Sequence, residues 1–411
     1  LYKNENFMTT YPKNFLLDIP KTDLHLHLDG SLRLSTLIDL AKENKITLPS
    51  TTEEGLNELV FKKNYESLDE YLKGFGYTCS VMQNEEALER IAYELAYDNC
   101  REGVRYIEVR FAPQLLMDEK KRLEDIIIAV DKGLQRAKKE INSNLREDEP
   151  PFEYGLIICA MRFFNEDFSK YYAWFSQIHR YSSKIDKIKL ASIELANGIV
   201  KIANESDAQI VGFDVAGSEY GNPAENHKKS YDIIHNHFIH KTIHAGEAYG
   251  SESIFQAITR LHTERIGHGL FLFDENMIFS DKIRDKKRYI EELANYIAER
   301  RITIEVCLTS NLQTVPSIKR ISDHSFGKML ERQLSVTLCT DNRLVSHTTV
   351  TNEIELATQN FNISPKTLKN IIIYGFKRSF FYHPYVKKRE YVRKVIDYYE
   401  KIEKKYGINQ E

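Results

Sequence analysis

Thr22-Asp23-Leu24-His25-Leu26-His27-Leu28-Asp29-Gly30-Ser31 is the stretch on which the fold turns. It reads as a short buried strand that runs out into a glycine turn. In a strand, alternate side chains share a face. His25 and His27 therefore point one way, and Leu24, Leu26 and Leu28 point the other. Two imidazoles side by side can grip a single metal ion. Asp29 continues the same parity and is expected at the rim. His235-Asn236-His237 has the same spacing but lies where apolar residues recur at helical intervals. Residues two apart on a helix diverge by roughly 200° and cannot meet at one ion. His235 and His237 are read as ordinary helix residues.

Outward from this stretch, short apolar runs alternate with amphipathic helical segments. The runs are 22–27, 104–111, 154–161, 209–215, 241–245, 265–268, 302–308 and 334–340. Helical periodicity fills the gaps, as in Leu88, Ile91, Ala92, Leu95 and Ala96. Strands alternating with helices argue for parallel βαβ units. Eight of them suggest an α/β fold of the (β/α)8 TIM-type barrel kind; an open doubly wound sheet is the alternative. Residues 1–411 are read as one domain. Residues 32–102 form a helical insertion after the first strand, expected to break near Pro49 and at Gly74 and Gly76. Residues 140–152 are expected as a surface loop, and Asp281 to Arg288 as a solvated helix face. Extra helices occupy 350–411, the last packing outside the barrel.

Bulk properties exclude several classes. The net charge of −3 gives no basic field for nucleic acid. No apolar run approaches the ~20 residues of a membrane span, and Leu1 to Ile19 shows no basic-then-apolar signal pattern. Cys79, Cys100, Cys159, Cys307 and Cys339 are scattered and form no C-x-x-C pair. A reducing, cytoplasmic setting is expected.

Polar residues cluster where the strands end. His25 and His27 close the first, His244 opens His244-Ala245-Gly246-Glu247 after the fifth, His268 closes the sixth, and Asp341 ends the eighth. Barrel enzymes place catalytic groups at the C-terminal ends of several strands. Three imidazoles and one carboxylate suit a single Zn²⁺.

These segments resemble the adenosine deaminase family. The resemblance rests on Asp23-Leu24-His25-Leu26-His27-Leu28-Asp29-Gly30, Asp214-Val215-Ala216-Gly217, His244-Ala245-Gly246-Glu247, Glu264-Arg265-Ile266-Gly267-His268-Gly269, Ser310-Asn311-Leu312-Gln313-Thr314 and Thr340-Asp341-Asn342. It implies one zinc ion per chain and hydrolytic release of ammonia from C6 of a purine nucleoside. His25, His27, His244 and Asp341 match the metal ligands. Glu247 matches the proton donor to N1, and a carboxyl in that role is kept protonated by burial. His268 matches the residue that orients or deprotonates the attacking water. Gly217 matches a backbone donor to purine N3, and Asp29 the group that holds the ribose 5′-hydroxyl. The insertion corresponds to a lid, with Tyr71, Leu72 and Phe75 as pocket candidates. Many members carry a second aspartate where this chain has Asn342, and proline where it has Arg343. The family role is a hydrogen bond to N7, and an asparagine NH₂ is a natural donor there.

The alternative within enzymes is a deaminase of free adenine or another 6-aminopurine. Asp29 speaks for a nucleoside, because a free base has no ribose to hold. A cytidine-deaminase fold would show P-C-x-x-C, which is absent. A non-catalytic module on this scaffold would be expected to have lost a ligand or Glu247, and all are present.

Overall fold

The computed structural model describes residues 10–66, 68–315 and 317–408. Eight parallel strand segments form its centre: β1 (Lys21–His27), β2 (Val104–Phe111), β3 (Glu153–Met161), β4 (Ile210–Ala216), β5 in two pieces (His240–Lys241 and His244–Ala245), β6 (Arg265–His268), β7 (Thr303–Val306) and β8 (Val336–Leu338). Each pairs in parallel with the next from β1 to β8. β5 pairs with β4 through its first half and with β6 through its second. The first and last strands then meet. Asp341 N–H donates to the His25 carbonyl, and His27 N–H to the Asp341 carbonyl, both at 2.8 Å. The strands form a ring, not an open sheet. Buried parallel strands covered by helices read as near-continuous apolar runs, which is why the alternation was visible in the sequence.

Leu24, Leu26 and Leu28 are fully buried in the main core. The helix Glu85–Arg101 buries Leu88, Ile91, Ala92, Leu95 and Ala96, and Asn84 caps it by accepting from Ala87 N–H. Cys159, Cys307 and Cys339 are buried free thiols. His235 lies in the helix Lys228–Asn236 and His237 caps its end. No helix among the described residues is long and apolar enough to cross a membrane.

Three local expectations need correcting. The insertion does break near Pro49, but the helix Leu68–Val81 runs straight through Gly74 and Gly76. Gly74 packs where a Cβ would stand 3.0 Å from the Phe61 ring, so tertiary contact outweighs a weak helix former. The helix Leu123–Ser143 extends into the proposed loop, since Ile141 still reaches the core. Asp281 to Asp285 lie outside the helix Lys286–Arg300, where Asp285 is the cap. The terminal helix Tyr385–Tyr406 buries Val392, Val395, Tyr399 and Ile402.

Candidate metal centre and active site

The expected ligands come together inside the strand ends. His25 Nε2 lies 3.0 Å from His244 Nε2, and His27 Nε2 lies 3.2 Å from it. Asp341 Oδ1 stands 3.5 Å from Nε2 of both His25 and His27. Donors ~2.0–2.1 Å from a tetrahedral ion are about 3.3 Å apart, so these spacings are edges of one coordination cage. Protons sharpen the point. His25 donates its Nδ1–H to Glu305 at 2.7 Å, and His244 donates its Nδ1–H to Asp214 at 3.1 Å. Both rings, when neutral, then face each other with bare Nε2 lone pairs, and only a cation reconciles them. Burial, together with the neighbouring His244 and His25, holds the His27 imidazole well below its usual range despite Asp341, and a neutral ring is what a metal needs. His268 also comes within 4.8 Å of His25, His244 and Asp341. The 3.0–3.5 Å contacts run among His25, His27, His244 and Asp341.

Around the cage lies a fully buried charge network that the sequence reading did not anticipate. Arg110 bridges Asp214 and Glu305, each at 2.8 Å. Arg265 joins Glu305 at 2.7 Å and also pairs with Glu108. Burial alone would raise both carboxyls, yet Arg110 and Arg265 hold Glu305, and His244 and Arg110 hold Asp214, well below the usual range. Counting Asp341, two guanidiniums meet four carboxylates. Two negative charges remain, the complement of a divalent cation. Gly267 is needed beside this cage, because a Cβ there would sit 2.8 Å from His25 Cε1.

Asp341 and His268 both adopt left-handed backbone, with φ of 61° and 65°, a conformation that costs a non-glycine residue and persists where the surroundings hold it. Ser310 donates to Asp341 Oδ2 at 2.5 Å. His268 Nε2 faces Glu247 Oε1 at 3.9 Å. The other side of its ring ends a hydrogen-bonded chain. Phe326 N–H donates to His324 Nδ1 at 3.0 Å, and burial, with His268 nearby, pushes His324 down to about 3. Neutral His324 therefore carries its proton on Nε2 and donates it to Asn311 Oδ1 at 3.2 Å. The Asn311 amide nitrogen is left to donate to His268 Nδ1 at 3.0 Å. Neutral His268 thus keeps its proton on Nε2, toward the cage. It is set up to donate there, not to accept.

Glu247 is 23% exposed. The expected burial is therefore incomplete. Its backbone is held by buried Glu219, whose carboxylate accepts from the N–H groups of Gly246, Glu247, Ala248 and Tyr249 at 2.7–3.2 Å. Arg162 grips the His244 carbonyl and donates to Asn222 O. No sequence signal separated Glu219 or Arg162 from ordinary surface charges.

Asp29 is buried in the turn that follows β1, its Oδ1 3.8 Å from His27 Nδ1 and without a hydrogen-bond partner. Burial raises its carboxyl to about 6, with Asp341 adding to the effect. Gly217 follows β4 with φ of 98°. Asn342 is buried with its amide nitrogen 2.8 Å from Tyr71 OH and its Oδ1 bare. Tyr71 also meets Ser346 at 3.0 Å and packs on Phe75. Leu72 is 38% exposed; one residue on from Tyr71, the helix turns it to solvent, so it leaves the pocket set. Arg343 is not a surface residue but a neighbour of the end of the 32–102 insertion. It ties the loop after β8 to Glu102 and Asn99.

Comparison with known proteins adds an independent line. The sequence model of the family described as adenosine deaminase matches residues 20–398. The adenosine deaminase of Mycobacterium avium is 34% identical over 363 residues, covering 88% of this chain and 90% of that protein. Among solved structures, an amidohydrolase from Burkholderia ambifaria with bound Zn superposes with a TM-score of 0.75 at 18% identity, covering 99% of this chain and 98% of its own. An adenine deaminase from Arthrobacter aurescens gives 0.71 at 20% identity, covering 93% and 99%. At these identities the two structures speak for the fold alone.

Proposed function

This chain belongs to the adenosine deaminase family, and from that premise we propose how its residues release ammonia from C6 of adenosine. The reaction is a hydrolysis: water adds at C6, ammonia leaves, and inosine remains. The observation that carries the assignment of residues is the convergence of three imidazole nitrogens and Asp341 at tetrahedral spacing, with His268 and Glu247 at the cage's edge. His25, His27, His244 and Asp341 would hold a zinc ion, which would lower the pKa of water and so supply a nucleophile at neutral pH.

The protein's own groups do the rest. An aromatic ring resists addition at C6 unless N1 takes a proton. Glu247 supplies that proton once the purine fills the mouth and completes its burial. His268 presents Nε2–H to the oxygen that adds, and offsets charge developing there. The bare Oδ1 of Asp29 accepts the 5′-hydroxyl. The Gly217 N–H donates to N3. For Asn342, the bare Oδ1 supports the opposite amide orientation when substrate is bound. Tyr71 OH then donates to Oδ1, and the freed NH₂ donates to N7. 2′-Deoxyadenosine keeps every group that these residues contact and is expected as a second substrate. This chemistry serves purine salvage.

A spectrophotometric assay of the zinc-loaded protein with adenosine, 2′-deoxyadenosine, adenine and AMP tests the reading. Both nucleosides should be turned over efficiently and adenine poorly. Faster turnover of adenine than of adenosine would overturn the nucleoside assignment and favour the free-base alternative.

A further inference from the structure

At the opposite end of the barrel, where β5, β6 and β7 begin, the surface opens into a cavity of about 890 Å³. Arg300, Arg301, Lys377, Arg378 and Lys388 line it, with Arg265 in its wall. Its lining carboxylate, Glu264, already serves His240 at 2.5 Å and Lys241 at 3.3 Å. Arg300, Arg301, Lys377 and Arg378 have no ion-pair partner among the described residues, and the buried Arg378 Nε has no hydrogen bond. Burial and the charge of Arg301 hold the Arg378 guanidinium below its usual value, and burial pushes the Lys388 ammonium down to about 8. All this occurs in a chain whose net charge is −3.

Helix dipoles explain part of the cluster. The helices Lys286–Arg300 and Pro365–Arg378 both end here, and a cation complements each C-terminus. They do not explain why Arg300, Arg301, Lys377 and Arg378 all line one cavity without an ion-pair partner among the described residues; Lys388 is already engaged, donating to the Ser379 carbonyl at 2.6 Å. We propose that this cavity binds a small polyanion through its phosphate groups, of the nucleoside-triphosphate or inorganic-polyphosphate class. Guanidinium forks match phosphate oxygens in pairs, and the volume falls in the range of small-molecule sites. The aromatic walls are already covered, Tyr296 by Arg300 at 4.8 Å and Phe380 by Arg265 at 3.6 Å. His240 stacks on Phe380 as well, at 4.6 Å. The groups that line the cavity free of ion-pair partners among the described residues are guanidinium and ammonium groups, so the phosphate chain is what the site recognises.

The test is calorimetric titration of the zinc-loaded, full-length protein with tripolyphosphate, ATP, adenosine and a short single-stranded RNA, near physiological salt. One tripolyphosphate per chain should bind saturably, with ATP competing for it at similar affinity and adenosine not competing. Arg301→Gln and the exposed Lys377→Gln should each weaken binding at least ~10-fold, while adenosine turnover is unchanged. Arg378→Gln should do the same if it folds, and Lys377→Gln decides the matter if it does not. The proposal is overturned if tripolyphosphate shows no saturable binding. It is equally overturned if the variants bind it like the parent, or if RNA binds and tripolyphosphate cannot displace it.

Discussion

The amide nitrogen of Asn311 lies 3.0 Å from Nδ1 of His268 and so determines which ring nitrogen of that histidine carries the proton. Asn311→Asp replaces the donor with an acceptor. The proton should move to Nδ1, leaving Nε2 bare toward the cage. We expect kcat to fall at least ~10²-fold with zinc content retained, and ¹⁵N shifts of the His268 ring to report the exchanged tautomer. A variant that switches tautomer yet keeps its kcat would show that donation from Nε2 is unimportant.

His25→Ala and Asp341→Ala should lose zinc and activity together. Glu305→Gln is the subtler case, because it leaves all four ligands in place but weakens the partner of His25 Nδ1–H. Partners of this kind are worth ~10–100-fold in metal affinity. Competition against a chelator should show a loss of that order, and unchanged affinity would mean that the network is only structural.

Glu247→Gln keeps the shape of the side chain and touches no ligand. The variant should bind one zinc per chain by elemental analysis and lose at least ~10²-fold in kcat. Normal turnover would remove Glu247 from the role of proton donor.

Asp29 offers a bare, buried carboxylate oxygen at the rim. A charge-assisted bond to a 5′-hydroxyl contributes roughly 1.5–3 kcal/mol, whereas a 5′-phosphate at ~5 Å meets several kcal/mol of repulsion before screening. Adenosine should be turned over at least ~10³-fold more efficiently than AMP. Asp29→Ala should weaken adenosine turnover and narrow that gap, and an unchanged ratio of kcat/KM values would rule the contact out.

Acid should destabilise the fold through two histidines. Burial pushes His227, with Arg162 nearby, and His324 down to about 3. The unfolded chain takes up these protons near pH 6.5, the folded chain only near 3. Stability is therefore fully present above about 6.5 and falls as pH drops, by about 1.4 kcal/mol per unit for each ring. Urea unfolding between pH 7 and 5 measures this. His227→Gln should be less stable than the parent at pH 7 but lose less on acidification, and parallel losses in both proteins would exclude the effect.

Legibility in the sequence followed distance along the chain. His25 and His27 were readable because strand parity fixes their direction, whereas Asp29 lies in the turn beyond the strand, where parity no longer holds. His244, His268 and Asp341 were readable because each ends an apolar run. Glu305, Arg110, Asp214 and Arg265 were not, since their pairing joins residues up to 195 apart. A trace did exist: Val104-Arg105-Tyr106-Ile107-Glu108-Val109-Arg110-Phe111 puts charges into a strand buried at every position. Buried charges must be paired, so the run implied partners without naming them. Glu219, Asn311 and His324 act through backbone groups and amides, which leave no pattern in composition or spacing.

The ring of strands has a seam where its last strand meets its first, and Asp341 is stitched into both sides of it. Its backbone joins β1 by two hydrogen bonds, while its carboxylate stands at the cage beside His25 and His27. Assembly of the ligand set is thus inseparable from closure of the barrel: the ring cannot open there without pulling one ligand away from the other three. A substitution far from the metal that merely loosened this seam would look, in an assay, like a defect in zinc binding.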